Sequence, residues 1–327
     1  MKKYLEELNQ KMVDFLTKNK DKKETEVVPE KKKAPTGGTA VDFACSNLEK
    51  LVREQLQHPS GKITTEHLLE LEKVEFEGDD KDDEEWVLDL TGIEHAHNLK
   101  VLSIVNSDIK DISAVKGLKN LEVMNFSVNK VKDITPIQNL TNLRELNLSV
   151  NMVRVISPIQ RLTKLQVLNL WGNKIKEITS LKRLTNLREL NLSVNEIKGI
   201  LPLQGLINLY VLSLSFNGFR DISPLCGKGG IQADAEDEEK VDEDAPKGLT
   251  NLVELDLSFN EIDDLSSLEP LTKLRKLFLG QNKILDLVPL EKLKHLEQLT
   301  LENNRLSQTQ LDTLRKALPE ANIVRQL

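Results

Sequence analysis

Residues 142–151, NLRELNLSVN, return letter for letter at 186–195, and KLQVLNLWGN at 164–173 keeps the same frame halfway between them. In the unit LxxLxLxxNxI the ninth position falls on Asn129, Asn151, Asn173, Asn195, Asn217, Asn260, Asn282 and Asn304, and six of the seven gaps between them are twenty-two residues. The seventh is forty-three, one period plus twenty-one extra residues. One period earlier, Ser107 holds the asparagine place in NLKVLSIVNSDI, so nine full units run from about Leu99 to Leu306. A unit this short cannot bury its own leucines, and only stacking on neighbours closes a core.

Two periodicities inside the unit set its local structure. Positions four and six, such as Leu146 and Leu148, alternate with polar residues, which predicts a short strand with one apolar face. After the asparagine, Pro136, Pro158, Pro202, Pro224 and Pro289 share one offset, which suits a turn or a short 3₁₀ segment and would interrupt a long helix. Stacked coils then give a parallel sheet with one strand per repeat. The asparagines form a buried ladder, because an amide side chain offers both acceptor and donors to turning backbone.

The period, the LxxLxLxxNxI frame and the tails DITPIQNLTNL (133–143) and DISPL (221–225) resemble the leucine-rich repeat proteins, in particular the bacterial internalin subclass and its phosphatase-regulator-like relatives. The resemblance spans about residues 41–327. It implies an α/β solenoid, a right-handed superhelix with a concave parallel sheet, a convex side of 3₁₀ segments and turns, and helical caps at both ends. It also implies a habit of binding proteins. Residues 43–76 resemble the helical cap that precedes internalin repeats: Ser46 with Glu49 reads as a capping box, and Thr64 opens a second helix. Leu71, Val74 and Phe76 start a tenth, imperfect coil that rejoins the frame at Val87, Leu90 and Ile93, after the acidic DDKDDEE (79–85). An internalin signal, immunoglobulin-like segment and wall-sorting tail are not seen, so the likeness does not extend to a surface role.

The domain layout follows. Residues 1–19 read as an amphipathic helix with Leu5, Leu8, Met12 and Phe15 on one side, too short to be stable alone, that docks on a partner, self-associates or stays mostly unfolded; 20–40 read as a flexible linker. A helical N-cap takes 41–75, the repeats 76–306 and a C-terminal cap helix 307–327, with 311–323 amphipathic and stopped near Pro319. The insertion at 227–248, with eight Asp or Glu between 234 and 244, has the composition of a disordered loop.

Composition excludes several functions. A net charge of −7 disfavours nucleic-acid binding. No run reaches the length of a membrane span, and Glu6, Glu7 and Asp14 spoil any signal-like apolar stretch. Cys45 and Cys226 show no metal-ligand or disulfide spacing, which fits a reduced, cytoplasmic chain; the alternative is a bacterial effector exported without a classical signal. No P-loop, GxGxxG, GxSxG or HExxH occurs, so no catalytic residue, metal or cofactor is assigned.

The remaining reading is a scaffold, adaptor or regulatory subunit that binds a protein on its concave sheet. Odd strand positions face that side, and candidate contacts are Glu145, Asn147, Asn169, Trp171, Glu189, Asn191, Ser213, Glu254, Asp256 and Phe278. Trp171 stands where adjacent coils have Ser149 and Ser193, so its ring is expected to project and stay exposed as an anchor. Phe278 interrupts an otherwise polar column. Phe216 and Phe259 read as rim packing. Nine basic residues against two acidic ones between 142 and 188 could steer an acidic partner.

Overall fold

Short strands, three residues long from the third onward and five in the first two, are what the frame allows, since positions three to five are extended and the asparagine turn begins soon after. The computed structural model describes residues 37–58, 60–78, 86–227 and 248–325. Among them, eleven parallel strands form one sheet in sequential order. They are β1 (Lys73–Glu77), β2 (Val101–Val105), β3 (Val123–Asn125), β4 (Glu145–Asn147), β5 (Val167–Asn169), β6 (Glu189–Asn191), β7 (Val211–Ser213), β8 (Glu254–Asp256), β9 (Lys276–Phe278), β10 (Gln298–Thr300) and β11 (Asn322–Val324). Position pairs with position throughout, as in Leu146↔Leu168 and Leu168↔Leu190.

The return path of each coil is a 3₁₀ turn. Asp133 Oδ1 accepts from Thr135 N at 2.8 Å, and Asp221 and Asp264 accept from Ser223 and Ser266 in the same way. These Asx turns start the segment, and Pro136, Pro158, Pro202, Pro224 and Pro289 sit in its first turn, where a missing amide costs nothing. In the coil from Leu143 the side chains of Leu143, Leu146, Leu148, Val153, Ile156, Ile159 and Leu162 are all at most 1% exposed. Each contributes on the order of 1.5–3 kcal/mol by leaving water, and only because coils lie on both sides.

The ninth-position asparagines hold the turns. Asn151 Nδ2 donates to Phe126 O of the preceding coil at 2.8 Å and to Leu148 O and Ser149 O of its own at 3.1 Å, while Oδ1 accepts from Val131 N at 2.9 Å. Asn129, Asn173, Asn195, Asn217, Asn282 and Asn304 repeat this set. Asn260 keeps its donors, but its Oδ1 takes Gly218 N at 2.8 Å. One position before the asparagine, the backbone is left-handed in every coil: Asn106, Val128, Val150, Val194, Phe216, Phe259, Gln281 and Asn303 have φ between 50° and 60°, and Gly172 has 67°. A β-branched residue there is strained. Cross-coil bonds over-determine the position, since Val128 N, Val150 N and Val194 N each donate to a carbonyl of the next coil at 2.8–2.9 Å.

At the N-terminal end, α1 (Ser46–Gln55) and α2 (Thr65–Leu68) bury Leu48, Val52 and Leu68. The expected capping box at Ser46 is corrected: Cys45 is the N-cap, with no side-chain cap bond, and Glu49 instead pairs with Arg53 one turn on at 2.7 Å. Thr64 does cap α2, its amide donating to His67 Nδ1 at 3.0 Å. The cap also begins earlier than expected, because Ala40 bridges Thr64 and Gly37 N donates to Glu66 Oε2 at 2.9 Å. Val87, Leu90 and Ile93 are buried, so the imperfect first coil does rejoin the frame.

At the other end, α3 (Gln308–Ala317) starts at a Ser307–Gln310 capping box and stops before Pro319. The stop near Pro319 is where the sequence predicts it, but 307–327 is not a cap helix alone: after it the chain turns to add β11 in register with β10. A helix on the outer side uses more residues per coil, so β11 lies twenty-four residues after β10, as in Leu299↔Ile323, and the period no longer marks it.

The acidic insertion, the N-terminal helix and most of the linker lie outside the described residues. Both ends of the insertion are described: Leu249 N donates to Leu225 O at 2.8 Å, and Gly227 and Gly248 are both left-handed. A side chain on Gly248 would lie 2.6 Å from the Cys226 carbonyl carbon. The chain therefore leaves and re-enters at one point, and β7 and β8 pair as if consecutive.

Two substitutions test these features. Asn151→Ala leaves several buried backbone groups unpaired and is expected to cost about 1–3 kcal/mol, read by chemical denaturation, with Asn304→Ala at the half-buried end costing less. A Cβ on Gly172 meets nothing nearer than 3.5 Å, so the cost of Gly172→Ala is the left-handed backbone alone, roughly 1–2 kcal/mol; a variant unfolding at unchanged denaturant concentration would sink that account.

Candidate protein-binding face

Side chains at positions three, five and seven of successive strands form three columns on the concave side of the sheet. Column five behaves differently from the sequence expectation. Asn147, Asn169, Asn191, Ser213 and Asp256 are buried, at 2–7% exposure, and do not form an outward stripe. Their acceptors are already used: Asn125, Asn147, Asn169, Asn191 and Asp256 each take the backbone N–H two residues on, at 3.0–3.1 Å. Each is an Asx turn that fixes the exit from the strand. The spacing Asn-x-Ser, repeated in NLSVN, was the signal for it, and these turns leave the amide acceptors committed to the backbone.

Column three is mixed. Glu145 and Glu254 are half-buried, and Glu254 Oε2 pairs with Lys276 Nζ at 2.8 Å. Glu189 is only 2% exposed, between Val167 and Val211. Its Oε1 lies 2.5 Å from the Tyr210 hydroxyl, which donates to it. Burial pushes the Glu189 carboxyl up to about 7; the Tyr210 hydrogen bond works against that shift, and nearby Glu145 and Glu254 add to it. Burial, then Glu189 itself, pushes the Tyr210 phenol upward as well. Tyr210 went unnoticed in the sequence, although it is one of two tyrosines and takes the place that Arg144 and Arg188 hold in other coils.

The aromatic candidates are less exposed than the sequence suggests. Trp171 is half-buried, where full projection was expected. It stands between Ser149 and Ser193, both at 0% exposure, and its Nε1 is buried with no partner among the described residues. Phe278 is half-buried between Asp256 and Thr300. Phe216 and Phe259 stack with centroids 3.8 Å apart and an interplanar angle of 13°, consistent with rim packing.

The basic stretch does not form one surface. Arg144, Lys164 and Arg188 lie near the strand starts, Arg161, Lys182 and Arg183 on 3₁₀ segments, and Arg154, Lys174 and Lys176 beyond the asparagines. All nine are exposed, Lys176 pairs with Glu196 at 3.3 Å and Arg144 with Glu122 at 3.5 Å. Exposed pairs of this sort contribute little. Among the described residues, no group of three metal-binding side chains occurs and no helix is long and apolar enough to cross a membrane.

Comparison with known proteins agrees with the geometry. A family model described as Leucine Rich repeats (2 copies) matches residues 141–183, 185–227 and 272–316, and a second, Leucine rich repeat, matches 239–284. Together they span half of the chain. No curated protein matches the sequence significantly. Among solved structures, the chain is similar to an internalin (InlF) from Listeria monocytogenes, with 27% identity over 87% of this chain and 90% of that one and a TM-score of 0.64. An internalin C2 from the same organism shows 27% identity over 79% and 94%, with a TM-score of 0.60. A leucine-rich repeat protein of Leptospira interrogans shows 27% identity over 71% and 62%, with a TM-score of 0.57.

Glu189 gives a pH test. Its folded-state value is raised above the unfolded one, so its neutral form is favoured by folding, and stability is lost as pH rises from about 4.5 to about 7. Glu189→Gln should flatten that segment of the pH–stability curve, by on the order of 1–3 kcal/mol at neutral pH, measured by urea titration at several pH values. An unchanged slope in the variant would show that burial of Glu189 is not its cause.

Proposed function

We propose that this chain, which belongs to the leucine-rich repeat proteins and is internalin-like among them, is a non-catalytic module that binds a protein partner on its concave sheet. The observation that carries this reading is the pairing of two half-buried aromatic rings, Trp171 and Phe278, with a surrounding face whose polar atoms are largely committed to the fold. Such a face has few free acceptors to offer, so affinity comes chiefly from apolar and aromatic anchors with charged groups at their edges. Glu145 and Glu254 supply the latter, and Val167 and Val211 extend the apolar area beside them. The parallel coils hold these groups rigidly, which lowers the ordering cost of binding.

A role as scaffold, adaptor or regulatory subunit follows, with the N-terminal residues as a second point of attachment. Both cysteines are free thiols, which supports a cytoplasmic setting over an exported effector.

Affinity capture from native lysate, followed by mass spectrometry, compares the intact chain with Trp171→Ala plus Phe278→Ala and with a form lacking residues 1–36. The double substitution is expected to lose a partner that the truncation keeps, at least about tenfold in recovery, while its denaturation midpoint stays within reach of the parent. Loss of the partner by truncation alone would assign binding to the N-terminal segment and make the coils a spacer.

A further inference from the structure

The second position of each coil stands just before its strand, and four coils put a cation there: Lys100, Arg144, Arg188 and Arg275. Three of these are paired with a glutamate at the same position one coil away, Lys100 with Glu72 at 3.0 Å, Arg144 with Glu122 at 3.5 Å and Arg275 with Glu297. Arg188 is the exception. Its neighbours in the column are Gln166 and Tyr210, both uncharged, and it makes no ion pair among the described residues.

A groove opens at the same place. It has a volume of about 350 Å³ and is lined by Gln166, Asn186, Arg188, Asn208 and Tyr210, polar side chains throughout. Asn186, Arg188 and Asn208 are exposed, and Gln166 and Tyr210 are half-buried, so the groove is accessible from solvent. Asn186 Nδ2 donates to Thr163 O at 2.8 Å and Asn208 Nδ2 to Thr185 O at 2.9 Å, which fixes both amides. Elsewhere in this ladder a lysine takes the amide oxygen: Lys164 Nζ donates to Asn142 Oδ1 and Lys273 Nζ to Asn251 Oδ1, each at 2.7 Å. Asn186 Oδ1 and Asn208 Oδ1 receive no such bond among the described residues. Tyr210 ties the groove to the concave face through its hydrogen bond to Glu189 Oε1.

These groups decide what fits. An unspent guanidinium calls for a planar anion that takes two of its N–H groups in parallel, as a carboxylate does. Two free amide oxygens call for N–H donors beside that anion, as a peptide backbone provides. Glu189 at the groove's edge favours a single negative charge over the two of a phosphate.

We propose that this groove seats an aspartate or glutamate side chain of the protein partner, its carboxylate on the Arg188 guanidinium and N–H groups of the same segment on Asn186 Oδ1 and Asn208 Oδ1. The partner thereby supplies the acid that a neighbouring coil supplies to Lys100, Arg144 and Arg275. The assignment rests on the concave-face reading and deepens it. Gln166 precedes β5 and Trp171 follows it, so a partner lying along that strand reaches both the groove and the ring.

The probe is N-acetyl-glutamate amide, an acidic residue between two peptide groups, titrated into the full chain and followed by the backbone amide resonances of Glu189, Asn208 and Tyr210. N-acetyl-glutamine amide is the uncharged control and inorganic phosphate the competing anion. Saturable shifts are expected with the glutamate compound, and far weaker ones with the other two. Arg188→Gln should weaken the binding roughly tenfold. Arg144→Gln, which removes a cation already paired, should leave it unchanged, as should Trp171→Ala plus Phe278→Ala. Absence of shifts in the parent chain, equal shifts with the glutamine compound, tighter binding of phosphate, equal affinity in Arg188→Gln, or equal weakening by Arg144→Gln would each overturn the assignment. None of those outcomes touches the capture of a partner through Trp171 and Phe278, and loss of that capture does not alter the titration, so the two readings fail separately.

Discussion

A strand of three residues makes too few ladder hydrogen bonds to define a sheet, and the backbone that joins such strands has no regular partner at all. The fold depends on how that backbone is satisfied. Asn151 and its equivalents do it by bridging coils: one amide accepts from the turn of the preceding coil and donates to carbonyls of two coils at once. A second set, the position-five Asn and Asp residues, ties each strand exit. A third, the aspartates of the 3₁₀ turns, starts each return path. Leucine burial supplies the driving force, but it is non-directional, and these side-chain ladders give the coil its single shape.

That dependence reaches the candidate binding face. Once the position-five carbonyls serve the backbone, their acceptors are spent, and what distinguishes one part of the concave side from another is carried by the few residues that break the repeat. Trp171 stands in a serine column, Phe278 in a polar one, and Gly280 makes room for Glu302. Glu189 breaks the pattern in another way, by remaining buried with Tyr210 in place of an exposed cationic neighbour. Regular positions build the sheet, and irregular ones individualise it.

Sequence reasoning reached the first kind of position far better than the second. The asparagine frame, the strand spacing and the proline offset are periodic, so a single chain supplies many copies of each signal. Ten of the strands follow from them. The eleventh escaped because α3 lengthens its coil and shifts Ile323 out of the frame. The capping box at Ser46 was misread because a suitable residue pair can be satisfied elsewhere, here by Arg53. Exposure on the concave side was overrated for Asn147, Asn169 and Asn191, since alternation tells which face a side chain is on and not whether it bends back to its own backbone. The left-handed Val128, Val150 and Val194 run against intrinsic preference, and only cross-coil bonds explain them.

Gly227 and Gly248 bring the two ends of a twenty-residue excursion to a single point while β7 and β8 keep their register. Distance along the chain and distance along the solenoid are thereby uncoupled at one place on the outer side. Sequence at that doorway is free to lengthen, shorten or change its composition under selection without any coil having to move, so this site can acquire a new appendage while the inner face stays as it is.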